Sequence, residues 1–268
     1  MGIGPETLVF MSFSKTPGRF GATVYNALFE RRGIDAVYLP RAAPPEARQI
    51  VDAARWLGLA GCSVSSPHKA GVLAHLDRLE AEAEAAEAVN TIYRDGDALV
   101  GACSDIDGVV GALADVGATS AVVFGSGGVV GPAIVGLRRL GIERITVVAR
   151  NRAAREALAS RFGVESGGLD VAGDVEAELV INATPAGREG LDSPELKSLV
   201  ARARVFLDMP VTPRDTAIVA HARSLGVDVR TGVDMCVHQI ASQARRYLES
   251  VVGVEAIREI VARDYLGR

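Results

Sequence analysis

Short apolar runs alternate with amphipathic runs along nearly the whole chain, and this alternation restricts the fold. The run "TLVFMS", then "GATVYNALFERRG", then "DAVYL" predicts a strand, a helix that stops at Gly33, and a second strand. The same order returns between "SAVVFGSGGVVGPAIVGLRRLG" and "VDVRTG". Strands that alternate with helices in this way are typical of α/β proteins with largely parallel sheets.

Two such series predict two α/β domains. We expect the first α/β domain to cover residues 1–103 and the second, a doubly wound α/β domain, to cover residues 104–231. The second series is already complete, so we expect the C-terminal helices of residues 232–268 to complete the first domain. A cleft between two α/β domains is a favoured ligand site.

The segment that follows "GCSVSSPHK" is rich in helix formers. "AGVLAHLDRLEAEAEAAEAV" predicts one long helix that begins directly after Lys69. A lysine at that position faces the positive end of the helix dipole, which disfavours its ammonium form. Lys69 is therefore either an incidental solvated residue or a side chain held at a site. Further on, Asp95-Gly96 in "VNTIYRDGDALVGA" predicts a β-hairpin.

Composition excludes several classes of protein. The 268 residues carry a net charge of −4, which does not favour nucleic acid or an anionic membrane surface as a partner. No apolar run reaches the roughly 18 residues that span a bilayer, and the N-terminus lacks a basic leader. Three distant cysteines indicate reduced thiols and a cytoplasmic protein. The four histidines do not have the spacing of metal ligands, so we expect no metal site. A homodimer is a candidate assembly.

A glycine turn follows the first strand of the second series. In "VVFGSGGVVG", Gly125, Gly127 and Gly128 stand between an apolar strand and a helix. Glycines there allow a tight turn and the close approach of a diphosphate to the backbone N–H groups of the helix N-terminus. The pattern also occurs in turns without a ligand, but the strand before it and the helix after it favour dinucleotide binding.

The next strand ends in "VVARNRAAR", which indicates the cofactor. An acidic residue at this strand end would bind the ribose 2′-OH of NAD, whereas this chain has Arg150, Asn151 and Arg152. Guanidinium groups suit a 2′-phosphate because they are planar and permanently charged. We therefore expect NADP as the cofactor. Arg155 is interpreted as part of a solvated helix face.

With these segments identified, the chain resembles the shikimate dehydrogenase family over nearly its full length. No single motif is specific, but their combined order and spacing are. The motifs, in the family's order, are "SKTP" (14–17), "SVSSPHK" (63–69), "AVNT" (88–91), "GACSDIDG" (101–108), "GSGGVVG" (125–131), "ARN" (149–151), "NATPAG" (182–187) and "GVDMCVHQ" (232–239).

The resemblance implies that residues 1–103 form an N-terminal α/β substrate-binding domain and residues 104–231 a Rossmann-type doubly wound NADP-binding domain, and it implies a role for each matching position. It implies Lys69 and Asp105 as the catalytic pair, in which Lys69 takes a hydroxyl proton and Asp105 orients the amine; Asp107 is expected to be a solvated acid of the first helical turn. The substrate-binding residues implied are Ser14, Thr16, Ser65, Asn90 and Gln239. The NADP-binding residues implied are Gly125, Ser126, Gly127, Gly128, Val129, Arg150, Asn151, Arg152, Thr184, Met209 and Gly232.

Several positions depart from the biosynthetic enzymes of that family. Tyr25 stands where a divergent, shikimate-dehydrogenase-like branch has histidine, and Pro210-Val211 replaces an aromatic pair that ends in tyrosine. Ser63, Ser65, Cys103 and Ser104 also differ from the family pattern.

We therefore expect NADP-dependent oxidation of a secondary alcohol on a small shikimate-like cyclic hydroxy acid. Two alternatives stay open: a quinate or aminoshikimate dehydrogenase of secondary metabolism, and a non-catalytic NADP-binding regulatory protein. The intact Lys69–Asp105 pair argues against the second, because a binding module needs no proton acceptor.

Overall fold

The structure is a computed structural model that describes residues 3–211 and 215–267. Its strands are β1 (Leu8–Ser14), β2 (Ala36–Ala42), β3 (Gly61–Val64), β4 (Arg78–Leu79), β5 (Thr91–Asp95), β6 (Ala98–Ala102), β7 (Ser120–Phe124), β8 (Arg144–Val148), β9 (Glu165–Gly167), β10 (Leu179–Asn182), β11 (Val205–Asp208) and β12 (Asp228–Thr231). Its α-helices are α1 (Phe20–Arg32), α2 (Ala47–Trp56), α3 (Ala81–Ala86), α4 (Ser104–Leu113), α5 (Val130–Arg139), α6 (Arg152–Phe162), α7 (Pro194–Val200), α8 (Ala217–Ser224), α9 (Gly232–Leu248) and α10 (Val254–Ile260).

These elements form two compact units. Unit 1 comprises residues 1–104 and 239–268, and unit 2 comprises residues 105–238. The second division falls inside α9, further along the chain than residue 231, where the sequence had placed the end of the second domain. Because α9 is one continuous helix, the sequence shows no break at the point of division. The predicted α/β fold class is confirmed in both units.

Unit 1 contains a mixed sheet in the order β2-β1-β3-β5-β6-β4. β1 pairs in parallel with β2 and β3, whereas β3 and β5 are antiparallel. The predicted hairpin joins β5 and β6, and Gly96 adopts the left-handed conformation that its turn requires. At the predicted helix stop, Gly33 is the left-handed C-cap of α1.

Unit 2 contains a parallel sheet in the order β12-β11-β10-β7-β8-β9. Reading from β9, the strands stand in the chain order third, second, first, fourth, fifth and sixth, which is the doubly wound nucleotide-binding order. Every residue of β7 is buried. Ala121 and Val123 belong to the core on one face of the sheet, and Val122 and Phe124 to the core on the other face. A strand covered on both faces explains the continuous apolar run in the sequence.

The long helix predicted directly after Lys69 is wrong. Turns occupy residues 66–72, a 3₁₀ turn covers Leu73–His75, and β4 and the short α3 follow. The reason is a non-local contact: a side chain at Gly101 in β6 would clash with Leu76 and Leu79, so the glycine leaves room for both leucines. Residues 77–80 add to the sheet beside β6 instead, and this pairing overrides the helix propensity. β9 and α7 were not predicted.

Candidate active site

The glycine turn after β7 has the geometry of a diphosphate cradle. Gly125 has a φ of 133°, and a Cβ there would lie 2.9 Å from Thr184 Cγ2 and 3.1 Å from the Ala183 carbonyl oxygen. Gly127 faces open space. The N-cap of α5, Val129, offers no capping side chain. Within the first turn of α5, the Val130 N–H donates to the Gly127 carbonyl at 3.0 Å and Pro132 has no N–H, so an anion would meet the glycine turn that precedes the helix.

A cavity of about 390 Å³ opens beside this turn, within the range of small-molecule sites. The structure brings five of the predicted cofactor residues to its wall: Gly125, Ser126, Arg150, Asn151 and Thr184. β7 and β10 are neighbours here, and the strand order reverses between them. In doubly wound sheets, ligands bind at the carboxyl ends of the strands at this switch point.

The three arginines after β8 differ in their surroundings. Arg150 lines the cavity, whereas Arg152 is 79% exposed and its Nε donates to Glu156 Oε1 at 2.7 Å. The expectation that Arg155 is solvated is wrong, because the side chain folds back towards the strand end and is half-buried. Its Nη1 lies 3.4 Å from the Ala149 carbonyl oxygen, and its Nε is buried without a hydrogen-bond partner in the described part of the chain.

Hydrogen bonds between β10 and β11 hold the wall that carries Thr184. Asn182 Oδ1 accepts from the backbone N–H and the hydroxyl of Thr184, at 3.1 and 2.7 Å. Asn182 Nδ2 and the Thr216 hydroxyl both donate to Asp208, each at 2.7 Å. Burial raises the pKa of Asp208, against the lowering effect of these two donors. The sequence pattern "NATPAG" contains Asn182 and Thr184 of this network, but nothing in it signals that Asp208 is the anchor.

Met209 and Gly232, the last predicted cofactor residues, meet at the backbone. Met209 N donates to the Asn182 carbonyl at 3.1 Å, next to the Thr184 wall. A Cβ at Gly232 would lie 2.4 Å from the Met209 carbonyl oxygen, so only glycine fits there. Because the backbones approach so closely here, this position requires glycine.

In unit 1, the predicted substrate residues gather at one end of the sheet. Ser14 ends β1, and Ser65 follows β3, its neighbour in the sheet. The backbone of Asn90 lies beside them, because the Val64 N–H donates to the Asn90 carbonyl at 2.9 Å. Ser14 is half-buried and Ser65 is exposed. Polar side chains therefore project from adjacent strand ends.

Lys69 belongs to the same end of the sheet. Its carbonyl accepts from the Val89 N–H at 2.8 Å, one residue before Asn90. The expectation that Lys69 faces the positive end of a helix dipole is wrong, since no α-helix begins there. The residue is nevertheless 8% exposed, and it is the one basic side chain that is buried among residues 3–211 and 215–267. Lysine is almost never fully buried unless its charged group is paired, so this position favours a functional role.

The remaining candidates have varied settings. Asp105 follows Ser104 in the first turn of α4 and is 3% exposed. Asp107 is not solvated as expected: its carboxylate accepts from Arg139 at 2.9 Å and is largely buried. Gln239 is half-buried on α9, and Thr16 is exposed after β1.

A buried polar network around Asn90 was not predicted from the sequence. Asn90 Oδ1 accepts from the Ser104 N–H at 2.8 Å, the Ser104 hydroxyl at 3.0 Å and the Thr91 hydroxyl at 2.8 Å. Gln243 Nε2 donates to the Thr91 hydroxyl at 2.9 Å, and Tyr25 donates to Gln243 Oε1 at 2.9 Å. The available signal was Gln243 itself, which stands one helical turn after Gln239 on the same face of α9.

A second buried cluster surrounds Ser63. The Tyr38 hydroxyl donates to Ser63 Oγ at 2.8 Å, and the Tyr247 hydroxyl lies 3.2 Å from the same oxygen. Burial raises the pKa of Tyr38 to about 12. Tyr25 stacks on Tyr38 with ring centroids 4.6 Å apart. Ser63 therefore serves to tie β3 to two tyrosines.

Comparisons with known proteins point to one family. The family model described as the shikimate dehydrogenase substrate binding domain matches residues 13–92. A relative from Maridesulfovibrio salexigens, named shikimate dehydrogenase (NADP(+)), is 31% identical over 244 residues, which cover 89% of this chain and 90% of the relative. The chain belongs to the shikimate dehydrogenase family. The matched residues of this shikimate dehydrogenase domain include Ser14, Ser65, Lys69 and Asn90.

Two further members of the family span nearly the whole chain. A shikimate dehydrogenase-like protein of Haemophilus influenzae is 27% identical and covers 97% of both chains. The structure of shikimate 5-dehydrogenase from Thermus thermophilus, in complex with NADP(H) and shikimate, has a TM-score of 0.84 and 26% identity. That likeness covers 96% of this chain and 99% of the other.

Two absences hold for the described residues of this shikimate dehydrogenase family member. No helix within 3–211 or 215–267 has the length and apolar character needed to cross a membrane. Over the same residues, no three His, Cys, Asp or Glu side chains come together in a way that could hold a metal ion.

Proposed function

We propose that the protein is an NADP-dependent oxidoreductase that interconverts a secondary alcohol and a ketone on shikimate or a close cyclic hydroxy-acid analogue. The observation that carries this proposal is the buried Lys69 among the polar side chains at one sheet end of unit 1. The relatives named above and the glycine turn of unit 2 support it.

The residues of the cavity fit NADP. The glycine turn at the start of α5, with open space at Gly127, suits its diphosphate, and Arg150 beside the cavity suits its 2′-phosphate. The buried, unpartnered Nε of Arg155 leaves one more donor in the same region. When bound, NADP supplies the nicotinamide ring that accepts a hydride from the carbinol carbon.

Each proposed residue then has one task. Lys69 takes the proton of the reacting hydroxyl as the hydride leaves, so the alcohol loses one hydride and one proton. Asp105 orients the same amine and hydroxyl. Ser14, Thr16, Ser65, Asn90 and Gln239 bind the polar groups of the substrate, and they stay predictions, as does the contribution of Arg152 to NADP binding.

An assay with a panel of cyclic hydroxy acids tests the proposal. Shikimate, quinate and aminoshikimate are each incubated with NADP and with NAD, and the reduced cofactor is measured by absorbance. We expect reduction of NADP by at least one of these acids, and a lower kcat/KM with NAD. Tight NADP binding without oxidation of any acid would instead support a non-catalytic regulatory protein.

One observation favours quinate or aminoshikimate as the second candidate substrate. Pro210 and Val211 carry no hydroxyl where the biosynthetic enzymes have tyrosine, and Ser63 is engaged by Tyr38 and Tyr247. These positions thus offer a different set of donors from the biosynthetic pattern. A higher kcat/KM for quinate or aminoshikimate than for shikimate would establish this alternative.

For the assembly and location we propose a homodimer in a reducing compartment such as the cytoplasm. Trp56 and Leu57, adjacent at the end of α2, are 85% and 46% exposed, and neighbouring exposed apolar side chains suggest a contact surface. Cys62, Cys103 and Cys236 form no disulfide in the structure. Sedimentation velocity tests the dimer, and a single monomeric species would contradict it.

A further inference from the structure

A chain of hydrogen bonds in unit 1 ends at an unsatisfied donor. It runs from Tyr25 to Gln243, then to Thr91, then to Asn90, with steps of 2.9, 2.9 and 2.8 Å. All four residues are at most 3% exposed. Asn90 Nδ2 is buried and has no hydrogen-bond partner in the described part of the chain. A buried N–H group without a partner is costly, which indicates that a ligand supplies the acceptor.

The chain has one direction of donation from Tyr25 as far as Thr91. The Tyr25 hydroxyl has a single proton, and its best acceptor is Gln243 Oε1, since the Ile240 carbonyl is 3.5 Å away. Gln243 must then present Nε2 to Thr91. The Thr91 hydroxyl, which accepts this bond, gives its own proton either to Asn90 Oδ1 at 2.8 Å or to Ser104 Oγ at 3.0 Å, and the Ser104 hydroxyl in turn donates to Asn90 Oδ1 at 3.0 Å.

The direction also determines how Asn90 faces a ligand. Its Oδ1 receives the Thr91 hydroxyl together with the N–H and hydroxyl of Ser104, so its lone pairs are in use. Only Nδ2 remains, and it is a donor. Asn90 can therefore bind an oxygen that accepts, whether that oxygen belongs to an alcohol or to a ketone.

We propose that Gln243 and Tyr25 are positioning residues that fix the amide of Asn90 so that it can only donate to the substrate. This inference rests on the proposed function for the identity of the substrate. An Asn90 amide that only donates does not accept the hydroxyl proton of the substrate. Its hydrogen bond to the substrate oxygen also persists when the alcohol becomes a ketone. Gln243 and Tyr25 act through Asn90 and do not themselves touch the substrate.

Two tyrosines provide a matched kinetic test. Tyr25→Phe removes the first donor of the chain, whereas Tyr38→Phe removes the hydroxyl of the ring stacked on it, which bonds to Ser63 instead. With shikimate as the probe, we expect Tyr25→Phe to raise KM about three- to tenfold, the worth of one hydrogen bond. The kcat and the Kd for NADP should stay within about twofold, and Tyr38→Phe should leave KM within about twofold. Equal KM changes in both variants would overturn the proposal.

Thr91 provides a rescue test. Thr91→Val keeps the shape and removes the hydroxyl, so it should raise the shikimate KM at least as much as Tyr25→Phe does. Thr91→Ser keeps the hydroxyl and should restore KM to within about twofold of the wild type. If serine and valine behave alike, packing and not the hydrogen bond is responsible, and the relay is wrong.

Neutron diffraction from a crystal of the ligand-free protein grown in D₂O separates this inference from the proposed function. We expect deuterium on Thr91 Oγ1 directed at Asn90 or at Ser104 Oγ, and two deuterons on Asn90 directed away from Ser104. A Thr91 deuteron directed at Gln243 would show the reverse order and refute the relay. If no cyclic hydroxy acid is oxidised, the proposed function fails, and the diffraction still decides the direction of donation.

Discussion

Two segments of this protein follow a buried strand, and the sequence predicts a helix after both. After β7, the turn at Gly125–Val129 leads into the ten-residue helix α5. After β3, residues 66–72 form turns and only a 3₁₀ turn follows. The first segment presents backbone N–H groups to an anion, whereas the second presents the side chain of Lys69.

The difference lies in which groups each segment can supply. A glycine turn at a helix N-terminus offers fixed N–H donors and a favourable dipole, which suits phosphate. A turn without a helix adds no positive dipole next to Lys69. What distinguishes Lys69 from a surface lysine is its burial, to 8% exposure.

The largest expected effect concerns the turn after β3. Lys69→Ala should reduce turnover by about 10²–10⁴-fold, the usual contribution of a positioned general base, because no other group takes the hydroxyl proton. Steady-state kinetics on the best acid of the panel measure this loss. The Kd for NADP should be almost unchanged, since the glycine turn is intact.

Lys15→Ala is the matched control, because Lys15 is exposed, and its activity should stay within about twofold of the wild type. Asp105→Asn should be nearly as damaging as Lys69→Ala, with the double variant little worse, since residues that act as one unit are not additive. A loss of less than about tenfold in Lys69→Ala, or only ~1.4 kcal/mol of barrier, means that Lys69 is a binding residue.

The sequence predicted what depends on local pattern. Strand ends carry Ser14 and Ser65, so recognising the strands was enough to bring them together. The course of residues 70–80 depends on Gly101, and the Asn90 network depends on bonds that span 152 and 218 residues. No local propensity encodes such contacts, so these features could not be predicted.

The strands that precede the two turns, β3 and β7, should also differ in how alkaline pH affects their stability. Ser63 in β3 is bonded to Tyr38, whose pKa burial raises from 10.0 to about 12, whereas β7 has no titratable side chain. The unfolded chain ionises first, so the stability that Tyr38 contributes is present below pH 10 and is lost as the pH rises through 12. Two pKa units correspond to about 2.7 kcal/mol.

Urea unfolding followed by circular dichroism between about pH 9 and pH 12 measures this loss. Tyr38→Phe should flatten the decline in the free energy of unfolding, because phenylalanine has no proton to lose. Tyr265→Phe, which keeps the edge contact with Phe20, should decline like the wild type. Identical slopes for both variants would exclude Tyr38 as the cause.

The glycine turn itself is tested by two single-methyl additions. Gly125→Ala places a residue with a Cβ at a φ of 133° and 2.9 Å from Thr184, so it should lower the free energy of unfolding by about 1–3 kcal/mol. Gly127→Ala enters open space and should change that free energy by less than about 0.5 kcal/mol. Equal losses in thermal unfolding would mean that the turn is not constrained as the structure shows.

The smallest expected effect separates two arginines beyond the glycine turn. Arg150 lines the cavity, and Arg150→Ala should weaken NADP by roughly 1–3 kcal/mol, the scale of a lost charge-assisted contact, while the affinity for NAD stays nearly unchanged. Arg152 is 79% exposed and paired with Glu156 on the surface of α6, where such a pair contributes little. Arg152→Ala should therefore weaken NADP less than about threefold. Titration calorimetry with NADP and NAD measures all four affinities. If Arg152→Ala weakens NADP binding as much as Arg150→Ala does, the guanidinium of Arg152 leaves Glu156 to bind the 2′-phosphate, and Glu156→Gln should then strengthen NADP binding. Equal losses of affinity for NADP and NAD in Arg150→Ala would instead show that Arg150 does not bind the 2′-phosphate.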